Sequence, residues 1–303
     1  MADWYKQRER GSRGALRLIL WIALTLGRTP ARVVLYPITL YFLLKATSQR
    51  RASRTFLTRV LGRPANLWDI ARHIHCFSAT ILDRVFLLAG HREYLKVQLH
   101  HPELVTNRVS AHQGFLLLGS HLGSFEVLRA LAIEEAHLPL KILMNPVHNQ
   151  TVTEMLHALN PDVAASVISL DGTMPMLAVK EYLDQGCAVG LLGDRFRPEE
   201  PRIRCNFLGA SASFPTGPIS LAAVSGVPVI LFFGIYRGGN RYEAYFELLA
   251  ERIDLGSRAE RQAALKFWVQ RYADRLASHT MTAPFNWFNF FDFWDQDSED
   301  CRT

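Results

Sequence analysis

The chain is poor in the residues that staple small or metal-bound folds. Its 303 residues hold four cysteines, Cys76, Cys187, Cys205 and Cys301, and no two of them have C-x-x-C spacing. That spacing argues against a disulfide framework and against a zinc ribbon, and it suits a reducing compartment. There is no H-E-x-x-H pair, so no helix-borne zinc site is expected, and no metal or cofactor is read from the sequence. There is no G-x-S-x-G elbow, which speaks against a serine hydrolase. No run of about 20 apolar residues occurs, the length a membrane-spanning helix needs. Acids are scarce at the start: residues 1–63 hold thirteen Lys or Arg against Asp3 and Glu9 alone, a local +11 in a chain whose net charge is +6.

What is present is a chain that is 49% hydrophobic and 20% charged, a balance that supports a large core. The basic block lies beside two apolar runs, Ala15 to Leu26 and Val33 to Leu44, parted by Gly27-Arg28-Thr29-Pro30-Ala31-Arg32. Read as one span, the arginines and Pro30 would sit at mid-depth in the bilayer, at high cost. Two short helices that dip into or lie on an anionic membrane surface fit better, with Trp4, Tyr5, Trp21, Tyr36 and Tyr41 at headgroup level. A helical hairpin packed on the protein's own core and a cleaved signal peptide are the competing readings. Nucleic-acid binding is not expected, because neither a known module nor aromatics interleaved with the basic residues are present.

Residues 50–88 read as mainly helical, and His73 and His75 within them read as surface or satisfied core residues. From about residue 93 the pattern becomes short apolar strands alternating with helices. Strands are expected at 115–119, 140–144, 164–169, 187–192 and 227–235, with a further one at 242–249. Helices are expected near 125–136, 149–159, 173–185, 216–225 and 258–278. The alternation implies an α/β domain, a mixed sheet flanked by helices, at 91–303, preceded by a basic helical region at 1–90.

The run Gly119-Ser120-His121-Leu122-Gly123-Ser124-Phe125-Glu126 follows the first of these strands. It puts an imidazole at a strand end and a carboxylate on the first turn of the next helix. A carboxylate in that position is expected to hold one ring nitrogen protonated, leaving the other to take a proton from an alcohol. Gly190-Leu191-Leu192-Gly193-Asp194-Arg195 is a second apolar strand, ending in an acid and a guanidinium where an α/β sheet places its ligand crevice. Phe207-Leu208-Gly209, followed by Ser213-Phe214-Pro215-Thr216-Gly217-Pro218, reads as a turn before a helix whose N–H groups receive an anion, or as a helix capped by Thr216. The segment from Pro284 to Trp294 is too aromatic for a simple tail: it lines a groove, meets the membrane or docks on the core.

Taken together, these motifs resemble the lipid A biosynthesis or late acyltransferases, within the lysophospholipid acyltransferase superfamily. The resemblance covers roughly residues 10–294 and rests on His121 and Glu126, on the strand ending in Asp194, on the element around Pro215-Thr216-Gly217-Pro218 and on Pro284 with Trp287-Phe288. The family's Arg-Pro before an Asn is replaced here by Met144-Asn145-Pro146-Val147-His148-Asn149. With the C-terminal Asn-Phe-Phe-Asp-Phe-Trp, this points to a divergent member of the aryl-polyene-associated kind. The resemblance implies transfer of a fatty acyl group from acyl carrier protein to a hydroxyl of a lipid or glycolipid, at the cytoplasmic face of an inner membrane. It also implies that His121 is the general base, Glu126 orients it, Asp194 and Arg195 shape the site and Asn149 holds a headgroup. An acyl-CoA-dependent lysophospholipid acyltransferase and a catalytically idle scaffold in a lipid-synthesis assembly are the alternatives.

Overall fold

The computed structural model describes residues 13–127, 138–144, 159–160, 165–170 and 175–294. Four helices lead: α1 (Arg13–Leu26), α2 (Arg28–Lys45), α3 (Thr47–Leu61) and α4 (Leu67–Leu88). Gly27, at φ 84°, takes the left-handed backbone that ends α1 and reverses the chain into α2. A capping box starts α4: the Asn66 side chain accepts from the Asp69 N–H, and the Asp69 carboxylate accepts from the Asn66 N–H.

After α4 come β1 (Lys96–His100), α5 (Glu103–Ser110), β2 (Phe115–Gly119), β3 (Leu140–Met144), β4 (Val167–Ser169), α6 (Pro175–Asp184) and β5 (Ala188–Leu192). The rest is β6 (Arg202–Phe207), β7 (Ala210–Pro215), α7 (Gly217–Ser225), β8 (Val229–Gly238), β9 (Arg241–Ala250) and α8 (Arg261–Thr282). Seven strands form a mixed sheet in the order β1-β9-β8-β2-β5-β3-β4, and β6 and β7 form a separate hairpin. All neighbours in the sheet run parallel except β8 and β9. The protein is thus a mixed α/β fold with helices against the sheet.

The central strands are buried on both faces, as their unbroken apolar runs require. Leu116 and Leu118 of β2 join one core cluster with Phe56 of α3, Ile70 of α4 and Val269 of α8. Phe115 and Leu117 join the opposite cluster with Leu35 of α2, Phe86 of α4 and Phe232 of β8. Each such side chain contributes roughly 1.5–3 kcal/mol by leaving water. The leading helices therefore share both cores with the sheet. One buried ion pair also ties them down. Arg28 donates to Asp83 through Nε at 2.8 Å and a terminal nitrogen at 3.0 Å, and Tyr242 of β9 donates to the same carboxylate at 2.9 Å.

Three strands escaped the sequence reading. β1 is a polar edge strand, Lys-Val-Gln-Leu-His, with no apolar run to reveal it. β6 and β7 are joined by Leu208 and Gly209, both at positive φ, in a two-residue hairpin turn. The sequence had shown Phe207-Leu208-Gly209 only as a turn ahead of a helix. The expected helix at 125–136 is described only in its first turn. Most of the one at 149–159, with Asn149, lies outside the described residues.

Candidate active site

The site follows from strand register. β2 and β5 are parallel neighbours with Phe115 opposite Ala188 and Gly119 opposite Leu192. Two residues past the ends of these strands, the same register sets His121 opposite Asp194. The His121 ring Nδ1 lies 2.8 Å from Asp194 Oδ1, and the His121 backbone N–H donates to Oδ2 at 3.0 Å. An ionised carboxylate only accepts, so the proton sits on Nδ1 and Nε2 keeps its lone pair.

The loop that carries His121 is pressed onto β8. The Ser124 N–H donates to the Gly234 carbonyl at 2.8 Å. A Cβ on Gly123, whose φ is +77°, would come within 1.9 Å of the Gly234 oxygen. Only glycine permits that approach.

Asp194 is fully buried and receives four hydrogen bonds. Besides the two from His121, its Oδ2 accepts from Trp287 Nε1 at 2.9 Å and from Asn289 Nδ2 at 3.2 Å. Burial acts to raise its pKa, but the His121 imidazole and its hydrogen bond, with the Arg195 charge, outweigh burial and hold the carboxyl at about 2. His121 is pushed below its ordinary value of 6.5, first by burial and then by the Arg195 charge, against the pull of Asp194. Its imidazole is therefore neutral at pH 7, the form a general base requires.

The residue that contacts the imidazole is thus Asp194, where the sequence reading had placed Glu126. Glu126 is buried and instead pairs with Arg84 of α4, Oε1 lying 2.8 Å from the guanidinium. Its position on the first helical turn after the loop sends its side chain to α4, whereas register delivers Asp194 to the ring. Arg195 donates to Asn289 Oδ1 at 2.7 Å and to the Phe288 carbonyl at 2.8 Å. Burial lowers its pKa to about 10, with Asp194 opposing, so it stays charged at neutral pH. Thr216 precedes α7 without capping it: its N–H and hydroxyl both go to the Pro201 carbonyl, at 3.0 and 3.2 Å. Gly217 begins that helix behind the β6–β7 hairpin.

The aromatic C-terminal segment, one of whose expected fates was docking on the core, docks against the His121 loop. The Gly123 N–H donates to the Asn286 carbonyl and the Phe288 N–H to the His121 carbonyl, both at 2.8 Å. His73 is a satisfied core residue. Its Nε2 donates to the Trp287 carbonyl at 2.9 Å and its Nδ1 accepts from Ser53 at 2.8 Å, while burial lowers its pKa to about 4. Trp287 and Asn289 were not read as partners of Asp194. The only sequence signal was polar atoms inside an aromatic run. Among the described residues no cluster of histidine, cysteine or carboxylate side chains could hold a metal ion. No protein-family model matches the chain, and no curated protein matches it.

Proposed function

We propose that the protein is a membrane-associated O-acyltransferase of the late, lipid A biosynthesis type. The observation that carries this reading is an imidazole at a strand end whose Nδ1 lies 2.8 Å from a buried carboxylate oxygen, an arrangement that leaves Nε2 to take a proton. In the reaction, Nε2 takes the proton of an acceptor hydroxyl as that oxygen attacks the carbonyl carbon of an acyl thioester. The tetrahedral intermediate collapses with cleavage of the C–S bond. The leaving thiolate recovers the proton from the imidazolium, giving an ester and a free thiol. A thioester is already activated, so no acyl-enzyme is needed. Asp194 stabilises the imidazolium that forms on the way. Glu126, held by Arg84 one turn beyond the base, is assigned to the walls of the site. Asn149 at the acceptor headgroup and the Gly217 amide as an anion site are assigned from the resemblance alone; the Thr216 N–H is spent on the Pro201 carbonyl, so Thr216 drops out of that site.

The donor in this reading is acyl carrier protein, whose acidic surface suits the basic N-terminal region, with acyl-CoA as the alternative. The acceptor is a membrane lipid at the cytoplasmic face of an inner membrane. No helix among the described residues is long and apolar enough to cross a membrane. α1 and α2 nevertheless leave Leu18, Trp21, Leu26, Val33, Tyr36 and Leu44 exposed. An apolar face of this kind, followed by Arg51 and Arg54 on the acid-free helix α3, supports a hairpin lying in an anionic interface.

The test is acyl transfer in membranes from labelled acyl carrier protein, and in parallel from labelled acyl-CoA, for wild type and His121→Ala. A labelled lipid that disappears in the variant is expected, and the productive donor decides between the two thioesters. No His121-dependent product from either donor would overturn the reading in favour of a scaffold.

A further inference from the structure

We propose that Trp287 and Asn289 are positioning residues for His121, so that the dyad exists only when the C-terminal segment 286–289 is docked. The two oxygens of Asp194 are used unequally. Oδ2 takes three donors: the His121 N–H, the indole N–H of Trp287 and the amide N–H of Asn289. Among the described residues, Oδ1 takes only the imidazole Nδ1–H. With Oδ2 saturated, the carboxylate cannot rotate without losing several bonds in a buried site, and Oδ1 stays aimed at the ring.

The orientation of the Asn289 amide is itself fixed. Its oxygen accepts from Arg195 Nε at 2.7 Å, which leaves its NH2 for Asp194. Asn289 thus stands between a part-buried cation and a buried anion and bonds to both. Trp287 is locked from the opposite side by His73, which donates to its carbonyl. The titratable groups facing Asp194 are His121, Arg195 and the Tyr272 phenol. Tyr272 spends its hydroxyl on the Gly119 carbonyl at 2.8 Å.

The same segment grips the loop of the base itself, through the Asn286 carbonyl and the Phe288 N–H on either side of Leu122. Two of the four donors to the orienting carboxylate among the described residues, and two of the backbone bonds that hold the base loop, therefore come from the C-terminal segment, more than ninety residues after Asp194 in the case of Trp287 and Asn289.

The proposal rests on His121 being the base, so its test needs a readout that does not depend on turnover. Trp287→Phe keeps an aromatic ring and removes the N–H. Asn289→Asp keeps the shape, removes the NH2 and turns an anion toward Asp194. In 15N-histidine NMR of the full chain, wild-type His121 is expected as the single Nδ1–H tautomer. Both variants are expected to gain the Nε2–H form. With dodecanoyl-acyl carrier protein and total membrane lipid, kcat is expected to fall about 10–100-fold, as on loss of an outer-shell partner. KM should stay within about twofold, since the lost interaction is not a substrate contact. Thermal melts identify a variant that does not fold, and the other variant then carries the test. A folded variant that keeps the wild-type tautomer overturns the proposal, whether its activity is kept or lost. If the wild type transfers no acyl group yet the tautomer shifts as expected, the positioning role stands and the acyltransferase reading is what failed.

Discussion

The two ends of the chain are both rich in aromatic and aliphatic side chains, and they dispose of them in opposite ways. In the N-terminal hairpin, Trp21 is 56% exposed and Tyr36 68% exposed. In the C-terminal segment, Trp287 is 0% exposed and Phe293 2%. Hydrophobicity alone does not separate the two ends; placed polar atoms do. The C-terminal segment carries Asn286, the Trp287 N–H and Asn289, the first matched to Tyr236 of β8 and the other two to Asp194, so it can enter the core with these polar groups paired. The hairpin is anchored too, by Arg28 and Arg32 on Asp83 and by Arg32 on the Tyr236 hydroxyl, and it buries Ala31 and Leu35, but it leaves Trp21, Val33, Tyr36 and Leu44 facing outward. One end is thus built into the candidate site, and the other keeps an exposed apolar face.

The sharpest way to break the C-terminal half of this comparison is Asp194→Asn, which removes the carboxylate on which the segment converges. Acyl transfer should fall by about 10³–10⁴ in kcat, by analogy with amide replacement of the orienting acid in a triad. Steady-state kinetics on the folded variant checks it. Trp287→Ala should cost about 3–5 kcal/mol of stability by emptying a site packed by Phe56, Phe207 and Phe293, read from denaturant unfolding. At the other end, Arg28→Ala should cost about 3 kcal/mol, because it strips the main partner from a buried carboxylate. An equally large loss on replacing Trp21 would contradict the contrast between the ends. Exchanging Trp21, Tyr36 and Leu44 for serine should instead shift stability by about 0.5 kcal/mol or less per site while abolishing flotation with anionic vesicles.

Two pH effects sharpen the comparison further. His121 must be neutral to act, and its pKa is lowered, so activity is present above that value and lost as pH falls through it. The acid limb of kcat/KM should lie below 6.5. Glu247, remote from the base, is held at about 2 by hydrogen bonds from His279 and Arg275 that outweigh its burial. A depressed carboxylate stabilises the fold above its unfolded value of about 4.5, and that contribution fades as pH falls toward 2. Glu247→Gln should therefore flatten the acid unfolding curve without moving the acid limb of activity.

Much of this was legible in the chain. Phe115 to Gly119 and Leu140 to Met144 were marked as strands with the bounds the structure gives, because short, largely apolar runs, the second broken only by Lys141, are too short for a core helix. Two short helices were expected on the apolar runs Ala15 to Leu26 and Val33 to Leu44; the structure has two, but the break is Gly27 alone, and the second helix starts at Arg28, inside the segment read as the divider. His121, Asp194 and the C-terminal aromatics were each singled out as chemistry-bearing. Their pairing was not, because a spacing of five residues draws the eye to Glu126 while Asp194 lies seventy-three residues on.

The sequence by itself marked the apolar strands β2, β3, β5 and β8 and the titratable groups that follow β2 and β5, since these depend on local apolar patterning and turn chemistry. Only the tertiary structure decided that β2 and β5 are in-register parallel neighbours, that Asp194 therefore meets His121, and that Glu126 meets Arg84. It also decided that the last aromatic stretch docks on Asp194 and on the loop of His121. Strand order and register are set by the packing of all elements at once, and no local pattern encodes which strand end will face which.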